Sequence, residues 1–128
     1  MIERYLRCRH EFGGRGPDVF DCWGQVRDVR ANVFGLPWLP SYGAIADNDK
    51  RALTKATLRE SRNFRVVDPC PAAIATVWRG RLCIHVAVVV EVDGRLGVLE
   101  TNQRTGPRWL SIRDFERQYL KVIYYHDA

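Results

Sequence analysis

The dipeptide Asp93-Gly94 constrains the fold more than any other feature of this sequence. It lies between CIHVAVVVEV and RLGVLETN, two segments rich in β-branched residues. Asp-Gly between two such segments is among the strongest short-range signals for a β-hairpin. The unbroken VAVVV run also predicts a strand that is covered on both faces. We therefore expect the second half of the chain to form a sheet built around this hairpin.

Before the hairpin, the sequence follows helical periodicity. GGRGP at residues 13–17 predicts a loop, because three glycines and a proline in five positions do not sustain a helix. A helix is predicted to follow Asp21, an N-cap candidate, and to end at Gly35. Its inward-facing stripe comprises Cys22, Val26, Val29 and Val33. A weaker pattern suggests a short helix within residues 1–12.

The remaining segments complete an α+β prediction. A second helix is expected to run to about Ser61, with Asp47, Asn48 or Asp49 as its cap. AAIATVW predicts a strand before the hairpin, QRTGPR a loop after it, and LKVIYY a last strand. Ser111 is a candidate cap for a short helix through Gln118. Helices followed by an antiparallel sheet define an α+β fold, and a chain of 128 residues is expected to form a single domain, 1–128.

Composition narrows the classes of partner. The net charge is +5, but basic residues are spread along the whole chain, so no nucleic-acid partner is expected. No apolar run is long enough for a membrane span, and the charged N-terminus does not resemble a signal peptide. The four cysteines lack C-x-x-C spacing, and free thiols are expected. With no ligand cluster in the sequence, neither a metal nor a cofactor is expected.

Cys22 is the candidate nucleophile. It falls in the first turn of the predicted helix, where free N–H groups and the helix dipole favour a thiolate and lower its pKa. The alternative is a small buried hydrophobic residue, which is what most cysteines are. Position alone does not decide between the two.

His85 is the best-placed general base among His10, His85 and His126. It lies at the start of the VAVVV strand, a rigid mount for an imidazole, although a lone histidine in a strand is more often structural. If Asp93 and Gly94 are the turn residues, cross-strand partners have numbers that sum to 187. Glu100 and Asn102 then project from the same face as His85, and either could orient its ring.

Two blocks of this sequence resemble the NlpC-type cell-wall peptidases, a papain-like family of cysteine enzymes. The family's nucleophile motif is matched by Phe20, Asp21, Cys22 and Gly24. Its upstream aromatic, Gly-Gly and Pro are matched at the same distances by Phe12, Gly13, Gly14 and Pro17. IHVAVVVEVDG resembles the family's histidine-bearing strand, and VLETN aligns best if Glu100 is the third catalytic residue. The two blocks cover about a third of the chain.

The resemblance implies roles for further residues. The family has a tyrosine twelve residues before the cysteine, where it helps to bind the reacting carbonyl, and this chain has His10. The oxyanion is then expected to be bound by His10 and the backbone N–H of Cys22. Asp21 is expected to pair with a substrate amine, and Trp23 replaces the family's usual serine in the substrate pocket. Glu100, where the family usually has His, Asn or Gln, would stabilise the imidazolium.

The Cys-Trp-Gly sequence and the small size look most like the versions of this family found in phage tail-assembly or tail-tip proteins. The resemblance therefore implies a cysteine peptidase that hydrolyses peptidoglycan stem peptides from the virion tail, with other tail proteins as partners. Two alternatives remain open. The domain could be a tail component with little or no turnover, or a cysteine acyltransferase that uses the same residues with a different acceptor.

Overall fold

In the computed structural model, residues 1–43 and 45–127 are described, and they form four helices and eight strands. The helices are α1 (Glu3–Leu6), α2 (Cys22–Asn32), α3 (Lys50–Ser61) and α4 (Ile112–Arg117). The strands are β1 (Arg9–His10), β2 (Val19–Phe20), β3 (Phe64–Val67), β4 (Ile74–Arg79), β5 (Leu82–Val92), β6 (Arg95–Asn102), β7 (Gly106–Ser111) and β8 (Lys121–Asp127).

Six strands form one antiparallel sheet in the order β3-β8-β4-β5-β6-β7. The predicted hairpin is β5–β6, and its turn residues Asp93 and Gly94 have φ of 51° and 78°. The pairing runs from Val92↔Arg95 to Val88↔Leu99, in the predicted register. The sheet with its helices confirms the α+β fold class.

Each face of the sheet is covered by helices. Val86, Val88 and Val90 of β5 belong to the core that also contains the buried apolar residues of α2 and Leu53 of α3. Ala87 and Val89 belong to a second core, on the side of Phe115 in α4. The VAVVV run is buried throughout, because alternate side chains enter the two cores.

The N-caps of the helices follow the sequence. Asp21 caps α2 by accepting a hydrogen bond from the Gly24 N–H, and Ser111 caps α4 by accepting one from Asp114. Among the three candidates for α3, the cap is Asp49, which accepts from Ala52. Along the α2 stripe, Cys22, Val26 and Val29 are at most 1% exposed, while Val33 is the partly buried C-cap.

Three segments differ from the prediction. The N-terminal helix ends at Leu6, and the chain then forms β1, which pairs in parallel with β2. Gly106–Ser111 overlaps the predicted QRTGPR loop but forms the edge strand β7. Phe64–Val67 forms the other edge strand, which the sequence did not predict. Within the described residues, the helices are all too short or too polar to cross a membrane.

Candidate functional site

The glycine-rich loop and the start of α2 are joined through Asp21, which is fully buried. Its Oδ1 accepts hydrogen bonds from the Gly24 N–H at 2.8 Å and from Arg15 Nη1 at 2.7 Å. Its Oδ2 accepts one from the Gly13 N–H at 3.1 Å. The structure thus places Asp21 inside the loop–helix junction, where it fixes the position of Cys22.

Cys22 is the first residue of α2 and is 1% exposed. Burial raises the pKa of its thiol well above the usual range, and the carboxylates of Asp47 and Asp21 act in the same direction. The nearby backbone of Val86 acts in the opposite direction and lowers the pKa. The expectation of a lowered pKa is therefore wrong for this conformation, because burial and two nearby carboxylates outweigh the helix N-terminus. The Cys22 thiol therefore lies near the backbone of Val86, the residue that follows His85.

Strands β5 and β6 separate at the end where His85 lies. Their pairing ends at Val88↔Leu99, while β5 stays paired with β4 to Leu82 and β6 with β7 to Asn102. His85 and Asn102 are consequently not ladder partners. The side-chain oxygen of Asn102 instead accepts hydrogen bonds from the backbone N–H groups of Arg104 and Thr105. Asn102 therefore serves the β6–β7 turn.

Glu100 is the polar partner of His85. His85 Nε2 lies 2.8 Å from Glu100 Oε1, and the Glu100 side chain is fully buried. The Tyr119 hydroxyl donates to the same oxygen at 2.9 Å, and Arg108 Nε donates to Oε2 at 2.7 Å. Neither Tyr119 nor Arg108 was predicted at the site, since both contacts depend on how β7 and α4 pack.

The ionisation of Glu100 reflects these contacts. Burial acts to raise the pKa of Glu100, but the hydrogen bond and charge of His85 oppose it, followed by Arg108 and Tyr119. Together these partners hold the pKa of Glu100 below its ordinary value. Glu100 is thus a carboxylate at neutral pH and can fix the tautomer of His85 with its Nε2–H toward Glu100.

His10 and Asp47 form a second pair beside Cys22. His10 Nε2 lies 2.9 Å from Asp47 Oδ2, and both side chains are at most 7% exposed. The backbone N–H of Cys22 donates to the same Asp47 oxygen at 3.0 Å. From the sequence, Asp47 was predicted only as a candidate helix cap. No spacing signal could have revealed its contact with Cys22, which lies 25 positions away.

Trp23 packs beneath the segment that connects α2 and α3. Its indole Nε1 donates to the Pro40 carbonyl at 2.9 Å, and its ring contacts that of Tyr42. It is 5% exposed. Trp23 is thus buried beneath this segment and stabilises it through these contacts.

His10, His85 and Tyr119 line an open groove. Its basic lining residues are Lys50, Arg79, Arg104 and Arg108, and its acidic lining residue is Asp47. The lining residues that the structure describes do not include Cys22. Within that part of the chain, no group of three or more His, Cys, Asp or Glu side chains is arranged to hold a metal ion.

These features define an α+β domain in which the cysteine that begins α2 lies near the Val86 backbone, and the preceding strand residue, His85, is paired with Glu100. The chain matches no protein-family model, no curated protein and no solved structure.

Proposed function

We propose that this protein is a cysteine peptidase of the NlpC type, which hydrolyses an amide bond in the stem peptides of peptidoglycan. The observation that supports it best is the buried His85–Glu100 pair, 2.8 Å apart, next to the strand residue whose backbone contacts the Cys22 thiol. A positioned imidazole beside a cysteine at a helix N-terminus is the arrangement that thiol nucleophiles require. Its location in the virion tail and its interaction with other tail proteins are inferred from the sequence resemblance alone.

In the proposed reaction, His85 accepts the thiol proton of Cys22 as Sγ attacks the scissile carbonyl carbon. The Cys22 N–H and His10 stabilise the oxyanion of the tetrahedral intermediate. His85 then returns the proton to the leaving amine as the C–N bond breaks, which leaves a thioester. His85 next takes a proton from water as the water oxygen attacks the thioester carbon. The C–S bond then breaks, His85 returns the proton to Sγ, and the peptide leaves as a carboxylic acid that ionises in water. Glu100 stabilises the imidazolium in both halves of the reaction.

The charge of the groove fits this substrate. Arg108 is paired with Glu100, but Lys50, Arg79 and Arg104 also line the groove. Peptidoglycan stem peptides carry free carboxylates, which such cations attract. The basic lining therefore supports an anionic peptide as the molecule that lies next to His85.

Digestion of purified peptidoglycan tests the proposal. We expect the wild type to release peptide fragments, and both Cys22→Ala and Cys22→Ser to release none above background, because the nucleophile is lost. Cys70→Ser is the matched control, since Cys70 is a half-buried free cysteine in the loop before β4. It should keep full activity. Mass spectrometry of the fragments identifies the bond, and equal hydrolysis by Cys22→Ala would refute the proposal.

A structural tail component is the second candidate, and the closed state of the site favours it. Cys22 is 1% exposed with a raised thiol pKa, and the two expected oxyanion donors already have a partner. This candidate predicts that the wild type releases no fragments. It also predicts that Cys22 stays unmodified by iodoacetamide at pH 8, with or without peptidoglycan fragments.

A further inference from the structure

Asp47 contacts both groups to which the proposed function assigns oxyanion binding. Its Oδ2 accepts a hydrogen bond from the Cys22 N–H at 3.0 Å and lies 2.9 Å from His10 Nε2. A carboxylate oxygen resembles the oxyanion of a tetrahedral intermediate in its charge and in the donors that it attracts. The position next to the first N–H of α2 also favours negative charge.

The second carboxylate oxygen of Asp47 lacks the hydrogen bonds that a buried carboxylate normally accepts. Oδ1 is buried and, within the described residues, has no hydrogen-bond partner. The side chain as a whole is 7% exposed. A buried carboxylate with an unpartnered oxygen is costly, and a purely structural aspartate would be expected to use both oxygens, as Asp21 does.

We propose that Asp47 is a further residue of this site, whose carboxylate occupies the place of the substrate's carbonyl oxygen and is displaced when substrate binds. This inference rests on the proposed function for the identity of the substrate. Asp47 would determine which ligands the site accepts, because a ligand must offer an oxygen that competes with the carboxylate for the two donors.

The segment that carries Asp47 is held in place mainly by hydrogen bonds that side chains donate to its backbone carbonyls. Arg15 donates to the carbonyls of Ser41, Tyr42 and Ile45 at 2.7 to 3.0 Å. Lys50 Nζ donates to the carbonyl of Asp47 itself at 2.5 Å. The Asp47 side chain can therefore rotate away while the segment stays attached to Arg15 and Lys50. Its departure would uncover both donors and remove one of the charges that disfavour a thiolate at Cys22.

Alkylation of Cys22 tests the inference without using peptidase activity. Iodoacetamide is added at pH 7, and the modification of Cys22 is followed by mass spectrometry of its peptide. We expect Asp47→Ala to react about tenfold faster than the wild type, because the variant lacks a carboxylate that disfavours the Cys22 thiolate. Asp47→Asn, which keeps the shape and loses the charge, should fall between them. Asp68→Ala, which removes an exposed aspartate before β4, is the matched control and should equal the wild type.

Formate separates an emptied anion position from a general loosening of the fold. Formate supplies, as a free ion, the carboxylate group that Asp47→Ala removes. In Asp47→Ala, sodium formate should slow the alkylation toward the wild-type rate, whereas sodium chloride at equal ionic strength should not. Thermal unfolding checks that each variant is folded, and Asp47→Asn decides the test if Asp47→Ala does not unfold cooperatively.

The outcomes distinguish this inference from the proposed function. An unchanged alkylation rate in a folded Asp47→Ala, or a faster rate on which formate has no effect, would overturn the role of Asp47. Hydrolysis of peptidoglycan by the wild type would stand in either case. Conversely, faster alkylation that formate reverses would establish the role of Asp47 as an occluding carboxylate, even if the wild type released no fragments.

Discussion

Replacing Glu100 with Gln is expected to lower the free energy of unfolding by about 3 kcal/mol, because it leaves the Arg108 guanidinium without its buried carboxylate partner. The effect should lie at the lower end of the usual range. Arg108 is 28% exposed and keeps its hydrogen bond to Gln118. In the wild type, His85, Arg108 and Tyr119 direct their donors at the two carboxylate oxygens of Glu100. Gln replaces one of these oxygens with an NH₂ group, which is itself a donor and cannot accept a hydrogen bond from them.

The same substitution should slow the proposed hydrolysis by about 10²-fold. The reason is that the neutral amide of Gln lacks the negative charge that stabilises the imidazolium of His85, while its oxygen still accepts the hydrogen bond from Nε2–H. The change should appear in kcat more than in KM, since Glu100 is fully buried and has no direct access to substrate. Glu91→Gln is the matched control, because Glu91 is an exposed residue of β5, and it should leave both stability and rate unchanged.

The pH dependence of stability checks the ionised state of Glu100 independently of activity. The pKa of Glu100 is lowered in the folded protein, so between that value and the ordinary 4.5 the unfolded state binds more protons. Stability from this carboxylate is therefore present above about pH 4.5 and is lost as the pH falls through the folded value. The difference in unfolding free energy between the wild type and Glu100→Gln should be constant at neutral pH and should shrink in acid. A difference that does not change with pH would show that Glu100 is not an ionised partner.

Local sequence signals were sufficient for the parts of the fold that short segments determine. Asp93-Gly94 predicted both the hairpin and its register, because a tight turn fixes which residues lie opposite each other. Asp21 and Ser111 were predicted as caps because the capping oxygen and the N–H groups that it satisfies lie within three residues. By contrast, β7 was predicted as a loop because it contains Gly106 and Pro107. As an edge strand, β7 can accommodate a proline that a central strand would not.

The candidate site was less predictable, because its geometry depends on contacts between distant segments. His85 and Glu100 lie on adjacent strands of one hairpin, so the register limited the possible partners to Glu100 and Asn102. Whether Asn102 was available depended on the β6–β7 turn, which uses its side chain. The contact between Asp47 and the Cys22 N–H depends on the path of the segment between α2 and α3. The raised pKa of Cys22 was equally unpredictable, because it results mainly from the burial of the thiol and not from its position at a helix N-terminus.

Gly24→Ala is expected to destabilise the protein by about 3 kcal/mol or more, although alanine is the better helix former by about 1 kcal/mol. An added Cβ would lie 2.1 Å from the carbonyl oxygen of Gly14, which is backbone and cannot move aside as a flexible side chain could. That carbonyl also accepts hydrogen bonds from the Asp21 N–H and from Arg15, so moving it disturbs the cap of α2. The glycine two residues after Cys22 is thus required because the loop and the helix touch there.

Urea denaturation of Gly24→Ala, with Gly43→Ala as the matched control, measures this effect. Among the described residues, an added Cβ at Gly43 meets Ser41 Oγ alone, at 3.4 Å, so stability should change little. Because the loop also positions Asp21 and Cys22, any Gly24→Ala protein that still folds should show an altered rate of Cys22 alkylation as well. If Gly24→Ala matched the wild type in both stability and alkylation, the close contact between loop and helix would not be what positions Cys22. The cap formed by Asp21 would then have to do so alone.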